Sequence, residues 1–248
     1  LHLVGRIRGA SNATWFGRIQ TAEGELSCVY KPVSGERRLW DFPDWTITRR
    51  EVAAFELATA AGWRMVPPTA WRSDGPAGEG MCQLWIDEQA DRCPIDVVRP
   101  QREPPGWRRV LEAEDGAGNP VVLVHADDIG LQRIAVFDAL ANNADRKGGH
   151  VLADGQGALW AIDHGVTFAT EDKLRTVLWG WAGGELPEVI VAEVAALAAR
   201  LGEHYDPVDR WLADEERSSL RERTHALLAE GRFPVPGTSW PAIPWPVF

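Results

Sequence analysis

Long apolar runs are absent from this sequence of 248 residues, and no stretch approaches the roughly 20 apolar residues that a membrane-spanning helix requires. Cysteine is scarce: Cys28, Cys82 and Cys93 lie far apart and form neither a CxxC pair nor a Cys/His cluster. A disulfide framework and a structural zinc site are therefore not expected. Residues 1–8 do not have the shape of a signal peptide. We expect a cytoplasmic protein with reduced thiols and without stable membrane insertion.

Positive charge is also in short supply. The chain has 26 Lys and Arg against 36 Asp and Glu, a formal net charge of −10. A broad nucleic-acid surface needs clustered positive charge, so a nucleic-acid partner is not expected, whereas a small basic pocket remains compatible with this balance. Hydrophobic residues make up 45% of the chain, which is ordinary globular usage and enough for a sizeable core.

The first third of the chain has mainly the period-two pattern of β-strands. Strands are predicted at residues 1–9, 15–20, 25–31, 65–71 and 81–86. Between the third and fourth of these strands, residues 46–61 change to a helical period, and Gly62 is predicted to end that helix. Residues 87–124 contain five prolines and are predicted to be irregular.

The second half is mainly helical. A helix is predicted from an N-cap at Asp127 to about Asn143, followed by a hairpin at 150–153 and 158–162. Further helices are predicted at 187–201, 207–213 and 214–231. The α+β chain is thus divided into a strand-rich part (1–88), a linker or insert (89–125), a helix-rich part (126–232) and a Pro/Trp-rich arm (233–248), whose packing the sequence leaves open.

Several chemically suggestive features occur in one order along the chain. They are a small polar turn at 9–14, Lys31 at the end of a strand, Glu51 on the first helix, Asn143-Ala-Asp145-Arg146, and Ile162-Asp163-His-Gly165. Phosphoryl transfer needs donors over the phosphates, a cation oriented by a carboxylate, a catalytic carboxylate and a metal-binding Asp, and protein kinases supply them in this order. The predicted hairpin lies between Asp145 and Asp163, so both carboxylates should return to the same end of it.

On these residues, with Tyr30-Lys31-Pro32, Arg50-Glu51 and Met81-Cys-Gln-Leu84, the chain resembles the actinobacterial phosphatidylinositol 3-/4-kinase-like family. That family is an atypical branch of the protein-kinase-like superfamily and is related to HipA-type kinases. The resemblance covers roughly residues 1–230, and the Asn-x-Asp-Arg and Ile-Asp-His-Gly motifs are its most specific part. It implies a two-lobed kinase-like fold, with an antiparallel-sheet N-lobe and a mostly helical C-lobe, and an ATP- and metal-dependent kinase activity.

The resemblance also implies a role for each matching residue. The phosphates would be covered by Ser11, Asn12 and Thr14, and Lys31 would contact the α- and β-phosphates with Glu51 as its partner. The adenine would be lined by Gln83, Leu84, Trp85 and Ile86. Asp145 would orient or deprotonate the acceptor hydroxyl, and Asp163 would hold Mg²⁺. Arg146 would neutralise charge beside Asp145 or contact the transferring phosphate. Glu56 is a rival partner for Lys31, but it lies on another side of the helix from Glu51.

One position departs from the kinase pattern. Kinase catalytic loops carry a metal-binding Asn a few residues after the catalytic Asp, and here His150 stands in that place. Neutral imidazole suits Mn²⁺ better than Mg²⁺, so we expect a single metal, a preference for Mn²⁺, or weak catalysis. A packing role for His150 is the alternative, and packing is the expected role of His164.

The expected function is transfer of the γ-phosphoryl group of ATP to a hydroxyl of a soluble protein or metabolite, or to the protein itself, with Mg²⁺ or Mn²⁺. A nucleotide-binding pseudokinase and a nucleotidyl transferase are the alternatives. Residues 147–149 are expected to be either a solvated loop or a contact for an anionic acceptor, and Trp179-Gly-Trp181 either packing or an acceptor platform.

Overall fold

The first five strands form one antiparallel sheet in a computed structural model of the protein, which describes residues 1–9, 12–43, 46–202, 208–238 and 240–248. The strands are β1 (His2–Arg6), β2 (Trp15–Thr21), β3 (Gly24–Pro32), β4 (Thr69–Arg72) and β5 (Gly80–Leu84). Their order in the sheet is β1-β2-β3-β5-β4. Lys31 lies opposite Met81 near the end of the central strand β3, so the middle of the sheet carries the lysine.

Helix α1 (Ile47–Ala60) packs against β4 and β5, as its apolar periodicity predicts. Gly62 follows the helix with a φ of 75°, a left-handed conformation that ends helices and favours glycine. On α1, Glu51 is fully buried. Arg50 is buried beside it and pairs with Glu216, which lies on the last helix of the chain. This helix therefore joins the sheet to the helical part of the molecule.

The prediction that residues 87–124 are irregular is wrong. They contain three strands, β6 (Ile95–Val98), β7 (Arg108–Glu114) and β8 (Pro120–His125), in an antiparallel sheet of order β6-β8-β7. The prolines lie between the strands or at the first position of β8, where a strand tolerates the missing N–H. The strands are short, and most residues of β7 are exposed, which weakens their signal in the sequence.

Helix α2 (Ile129–Ala141) is capped by Asp128, not by Asp127 as predicted. The Asp128 carboxylate accepts the N–H groups of Gly130 and Leu131, whereas Asp127 pairs with Arg108. The helix ends at Asn142, whose φ of 51° is left-handed. Strands β9 (Val151–Ala153) and β10 (Leu159–Ala161) then form the predicted hairpin.

Helices α3 (Glu188–Leu201) and α4 (Asp214–Glu230) pack against each other, and α4 also packs against α2. Of the helix predicted at 207–213, residues 208–213 form turns instead, and residue 207 lies outside the described residues. The described part of the C-terminal arm packs back onto the molecule. Ala242 accepts the Thr176 N–H and Val247 accepts the Gly148 N–H.

The architecture is α+β, with antiparallel sheets and four α-helices among the described residues. Short 3₁₀ helices lie at Val33–Gly35, Ala90–Arg92, Pro100–Arg102, Gly148–His150 and Trp179–Trp181. One apolar core runs from Leu57 on α1 through Ile134 and Phe137 on α2 to Ile190 on α3 and Leu220 on α4. Within the described ranges, no helix has both the length and the apolar character needed to cross a membrane.

Candidate active site

Lys31 lies at the centre of the site. Its Nζ donates to Glu51 Oε1 at 2.5 Å and to Asp163 Oδ1 at 2.8 Å. The structure thus pairs Lys31 with Glu51 rather than with Glu56. Burial opposes the charge on Lys31, but the carboxylates of Asp163 and Glu51 outweigh it and raise the pKa of the ammonium above its usual value. Lys31 therefore remains a cation at physiological pH.

Glu51 also links helix α1 to the loop that carries Asp163. Its Oε2 accepts the backbone N–H of His164 at 2.9 Å. Close approach of the helix requires glycine at 165, because a Cβ there would lie 2.5 Å from Cγ2 of Ile47. Asp163 itself has a φ of 63°, a left-handed conformation that is strained for residues other than glycine and is often stored at functional sites.

Asp163 is flanked by His150. The Nε2 atom of His150 lies 3.4 Å from Asp163 Oδ2, while Lys31 is bonded to Oδ1. The Lys31 ammonium holds the pKa of Asp163 well below its ordinary range. Burial lowers the pKa of His150 to about 4, so the imidazole is neutral at physiological pH. A carboxylate and a neutral imidazole therefore stand together beside a lysine.

Asp145 occupies the neighbouring loop. Its backbone N–H donates to Asn143 Oδ1 at 3.0 Å, and its carboxylate lies 3.5 Å from the ammonium of Lys147. Burial raises the pKa of the Asp145 carboxyl despite this lysine. The β9–β10 hairpin brings Asp145 and Asp163 to the same end, where both line one cavity of about 400 Å³. Lys31, Glu51, Asp145, His150 and Asp163 are called the cleft cluster below.

Arg146 does not face this cavity, contrary to the role expected for it. Its guanidinium is fully buried, pairs with Asp138 at 2.9 Å and donates to the carbonyl oxygens of His150 and Ile162. It also donates to His164 Nε2 at 2.8 Å. A guanidinium only donates, so this nitrogen must be the acceptor and the His164 proton lies on Nδ1. These contacts occupy Arg146 and hold the loop instead of contacting a phosphate.

Asp138 was missed by sequence reasoning. It is fully buried on α2 and accepts from Arg146 and from Asn143 Nδ2. The available signal was an aspartate within an otherwise apolar helical run, since a charge in that position requires a partner. Asp138, Asn143, Arg146 and His164 are called the buried brace below.

The polar turn is described only in part, because Ser11 lies outside the described residues. Asn12 Oδ1 accepts the backbone N–H of Arg37 at 2.8 Å, and Asn12 lines the same cavity as Asp145 and Asp163. The hydroxyl of Thr14, by contrast, donates to the backbone oxygen of Asn12 at 3.3 Å, and Thr14 is buried. The structure therefore brings Asn12, but not the Thr14 side chain, to the cavity.

The expected adenine-lining segment has mixed surroundings. Gln83 is buried and donates to Thr69 Oγ1, so its side chain is used within the sheet rather than in a cleft. The N–H groups of Leu84 and Trp85 donate to backbone oxygens at 2.9 and 3.0 Å, and the Trp85 ring lies edge-on to Phe16. Ile86 is half-buried next to them.

The two tryptophans of the Trp179–Trp181 turn pack inside the protein instead of forming an acceptor platform. Both are buried, and their indole N–H groups donate to Ala242 O and to Asp127 Oδ1.

Comparison with known proteins finds a relative that matches along the whole chain. The chain is 48% identical over 261 residues to Protein Rv2133c of Mycobacterium tuberculosis (strain ATCC 25618 / H37Rv), across all of this chain and 92% of that protein. The chain belongs to the Rv2133c family. No family model matches it. The name of the relative specifies no reaction, so membership of the Rv2133c family leaves the chemistry to be inferred from the site.

In this Rv2133c-family chain, the Asp163 carboxylate of the cleft cluster is compatible with binding a divalent metal. Asp163 keeps half of its side chain exposed, and Mg²⁺ is held by one or two carboxylates together with substrate phosphates and water. His150 adds a nitrogen ligand that is better suited to Mn²⁺. Among the described residues, no group of three or more His, Cys, Asp or Glu side chains is placed to hold a metal on its own. The donors present fit an ion that is shared with a phosphate.

Proposed function

We propose that the protein is an ATP- and divalent-metal-dependent phosphotransferase with a two-lobed kinase-like fold. The observation that carries this proposal is the position of Lys31, which bridges Glu51 and Asp163, while Asp163 and Asp145 line one cavity. A kinase requires these four groups within reach of one bound nucleotide. They come from a strand, a helix and two loops, and a merely structural ion pair would not need Asp145 beside it.

In this proposal the roles follow from charge and protonation. Lys31 binds the α- and β-phosphates, and Glu51 orients it. Asp163, with His150 beside it, holds the metal, which when bound would neutralise charge on the phosphate oxygens. Asn12 lies over the phosphates. The Leu84–Ile86 segment borders the adenine, with Ile86 as the residue best placed for a backbone contact because the two preceding N–H groups are in use.

In the proposed chemical step, Asp145 is the base for the acceptor hydroxyl. The acceptor hydroxyl oxygen forms a bond to the γ-phosphorus, the bond from that phosphorus to the bridging β–γ oxygen breaks, and ADP leaves. The proton of the hydroxyl passes to Asp145. A carboxylate whose pKa is raised by burial is better matched to this task than an ordinary surface aspartate.

A nucleotide-binding pseudokinase is the second candidate. It is favoured by one observation: in the described residues, the metal ligands that the protein could offer are Asp163 and His150, without the loop asparagine of kinases. In that case the protein would bind nucleotide but not turn it over.

The experiment compares two labels of ATP. Protein is incubated with γ-labelled and, separately, α-labelled ATP in Mg²⁺ or Mn²⁺, with Asp163→Ala as the test variant and the exposed Asp91→Ala as the matched control. Transfer of the γ-label that is lost in Asp163→Ala and kept in Asp91→Ala is expected. Transfer of the α-label would indicate a nucleotidyl transferase instead. Thermal stabilisation by ATP without turnover would indicate the pseudokinase.

A further inference from the structure

The cavity beside Asp145 and Asp163 has a second wall, which the phosphotransferase proposal leaves without a role. Arg37, Trp40, Arg175 and Trp240 line it, while residues 83–86 are not among its lining residues. The expected adenine segment therefore does not contribute to this cavity. An acceptor hydroxyl bound in it would have access to Asp145, which lines it. Its volume of about 400 Å³ is in the range of small-molecule sites.

The charged groups around the cavity differ in whether they have a partner. Each of its three carboxylates has a lysine partner: Asp41 with Lys173 at 3.2 Å, Asp145 with Lys147 at 3.5 Å, and Asp163 with Lys31 at 2.8 Å. Within the described ranges, neither Arg37 nor Arg175 forms an ion pair with a carboxylate. Lys31 and Lys173 each contact a second carboxylate as well, Glu51 and Glu171. Arg37 and Arg175 are therefore distinguished by having no ion pair among the described residues, and not by an excess of positive charge around the cavity.

Arg175 is held in place mainly by its backbone, and its side chain makes one long hydrogen bond, from Nη2 to the Ile243 carbonyl oxygen at 3.5 Å. Its N–H donates to Asn143 O at 2.9 Å, and its carbonyl oxygen accepts the Arg146 N–H at 3.0 Å, which fixes it next to Asp145. Its buried Nε has no hydrogen-bond partner among the described residues. A buried donor without a partner costs free energy, and an anionic ligand would supply the missing acceptor.

Arg37 is positioned from the opposite side of the cavity. Its backbone N–H donates to Asn12 Oδ1, so the loop that carries Arg37 is tied to the polar turn over the phosphates. Its side chain is exposed. Arg37 and Arg175 therefore approach one cavity from separate segments.

The rest of this wall is aromatic. Trp40 stacks on Trp240 of the C-terminal arm, with ring centroids 6.2 Å apart and planes at 23°. The Nζ atom of Lys173 lies 5.9 Å from the Trp40 ring and 5.6 Å from the Trp240 ring, which joins the two rings to the body of the protein. Trp40 is nevertheless 86% exposed, an unusual state for a tryptophan that has no ligand to cover it.

We propose that these residues form the acceptor site, and that the acceptor is a small hydroxyl compound with a carboxylate or phosphate group. Arg37 and Arg175 bind the anion, since guanidinium groups match both oxyanions in bidentate geometry. Trp40 and Trp240 cover the apolar or ring-shaped body of the molecule. This inference rests on the phosphotransferase proposal and selects a metabolite over a protein surface as the acceptor.

The test uses pairs of hydroxyl compounds that differ in charge. Glycerol 3-phosphate is compared with glycerol, and 4-hydroxyphenylacetate with 4-hydroxyphenylacetamide, as acceptors of γ-label and as ligands in saturation-transfer NMR. Anionic members are expected to bind and the 4-hydroxyphenylacetate to bind best, because it also has a ring. In Arg37→Ala and Arg175→Ala, the KM or Kd for the anionic compound should rise about tenfold to a hundredfold.

Two controls separate a binding role from general damage. Arg102→Ala removes an exposed arginine outside the cavity and should leave binding unchanged. Arg175→Lys keeps the charge and should recover part of the affinity. The KM for ATP should change less than twofold in Arg37→Ala and Arg175→Ala.

Equal binding of charged and neutral members, or an unchanged Kd in both arginine variants, would overturn the acceptor site even if ATP is still bound or hydrolysed. If the unmodified protein neither binds nor turns over ATP, the phosphotransferase proposal is overturned instead. Binding of the anionic compounds, measured by NMR, would still test the cavity in that case. Label transfer to anionic lipid vesicles or to a protein, with none to the small anions, would also contradict the proposal.

Discussion

The buried brace and the cleft cluster share the two loops that carry Asp145–Arg146 and Asp163–His164, but they differ in how their charges are satisfied. In the buried brace, Arg146 and Asp138 are fully buried and bonded to each other and to neighbouring polar groups. In the cleft cluster, Asp163 is half exposed and Asp145 is one-third exposed, and each has a lysine as counter-ion. Neighbouring residues such as Asp145 and Arg146 thus have opposite surroundings. The brace holds the loop, which leaves the cluster free to interact with ligands.

The buried brace and the cleft cluster meet where His164 lies next to Glu51. The Nδ1 of His164 lies 4.0 Å from Glu51 Oε2, and burial lowers the pKa of His164 so that the ring is neutral. A neutral ring between the Arg146–Asp138 pair and the Glu51–Lys31 pair keeps two buried ion pairs apart without adding charge. The comparison predicts that changes in the brace affect stability, whereas changes in the cluster affect ligand binding and turnover.

The largest effect is expected from Asp138→Asn in the brace. The substitution leaves the Arg146 charge buried without its partner, which should lower the free energy of unfolding by about 3–5 kcal/mol. Urea unfolding measures the change, with Asp91→Asn as the exposed control. The double variant Asp138→Leu with Arg146→Met should lose less than the sum of the single variants, because it removes both charges. A loss below about 1 kcal/mol for Asp138→Asn would show that the brace is not the main support of the loop.

The matching change in the cleft cluster is Asp163→Asn. Phosphoryl transfer should fall by at least about a hundredfold, because the carboxylate proposed to hold the metal is lost. The free energy of unfolding should change by less than about 1 kcal/mol, since this carboxylate is half exposed and Lys31 keeps Glu51. Label transfer and urea unfolding are measured on the same preparation. Loss of stability comparable with that of Asp138→Asn would remove the distinction between the two sets.

Gly165→Ala tests the contact that joins helix α1 to the Asp163 loop. The added Cβ would meet Ile47 Cγ2 at 2.5 Å, and overpacking of this kind costs about 1–3 kcal/mol. The displacement should also weaken the thermal stabilisation by ATP. Gly149→Ala is the matched control, since a Cβ at 149 has open space around it. Equal melting temperatures for the two variants would contradict the close packing of α1 on this loop.

The smallest effect on stability is expected from Asp145→Asn, and its sign is unusual. Because burial raises the pKa of Asp145, the folded state favours the protonated carboxyl. The stability that this protonation adds is fully present below pH about 4 and is lost as the pH rises through the raised pKa of the folded state. At pH 7 the carboxylate is a net cost. The variant should be more stable there by a few tenths of a kcal/mol, given solvent screening, while transfer is lost.

Thermal unfolding of Asp145→Asn and of the unmodified protein between pH 3 and pH 8 checks that sign. The difference in thermal stability in favour of the variant should grow with pH and then level off. A variant that is less stable than the unmodified protein at pH 7 would mean that Lys147 outweighs burial at this position.

Much of this fold could be predicted because its patterns are local. The alternation in β2 and β3, the helical period of α1 and the glycine after it, and the turn between β9 and β10 each depend on residues within a few positions of one another. The same holds for the order of Lys31, Glu51, Asp145 and Asp163 along the chain. The sheet β6-β8-β7 was missed because its strands are short, β7 is mostly exposed and prolines lie between the strands, so that local composition outweighed pairing between distant segments.

The positions of the two neighbours Asp145 and Arg146 could not be predicted in the same way. A motif states that both are present, but which one faces the cavity depends on Asp138, on the carbonyl groups of the hairpin and on the 173–177 segment that pairs with the loop. Likewise, the sequence does not reveal that Arg37 and Arg175 lack a carboxylate partner among the described residues, because this depends on which lysines pair with Asp145 and Asp41.

The amino-acid sequence alone determined the α+β class and most of the helices and strands, because these follow from periodicity and residue type, and it led to the hypothesis of phosphate chemistry. Tertiary packing decided which charges are buried together, which line the cavity, and that the C-terminal arm returns to it through Trp240. The physical reason is that burial and pairing of a charge depend on groups brought together from distant parts of the chain.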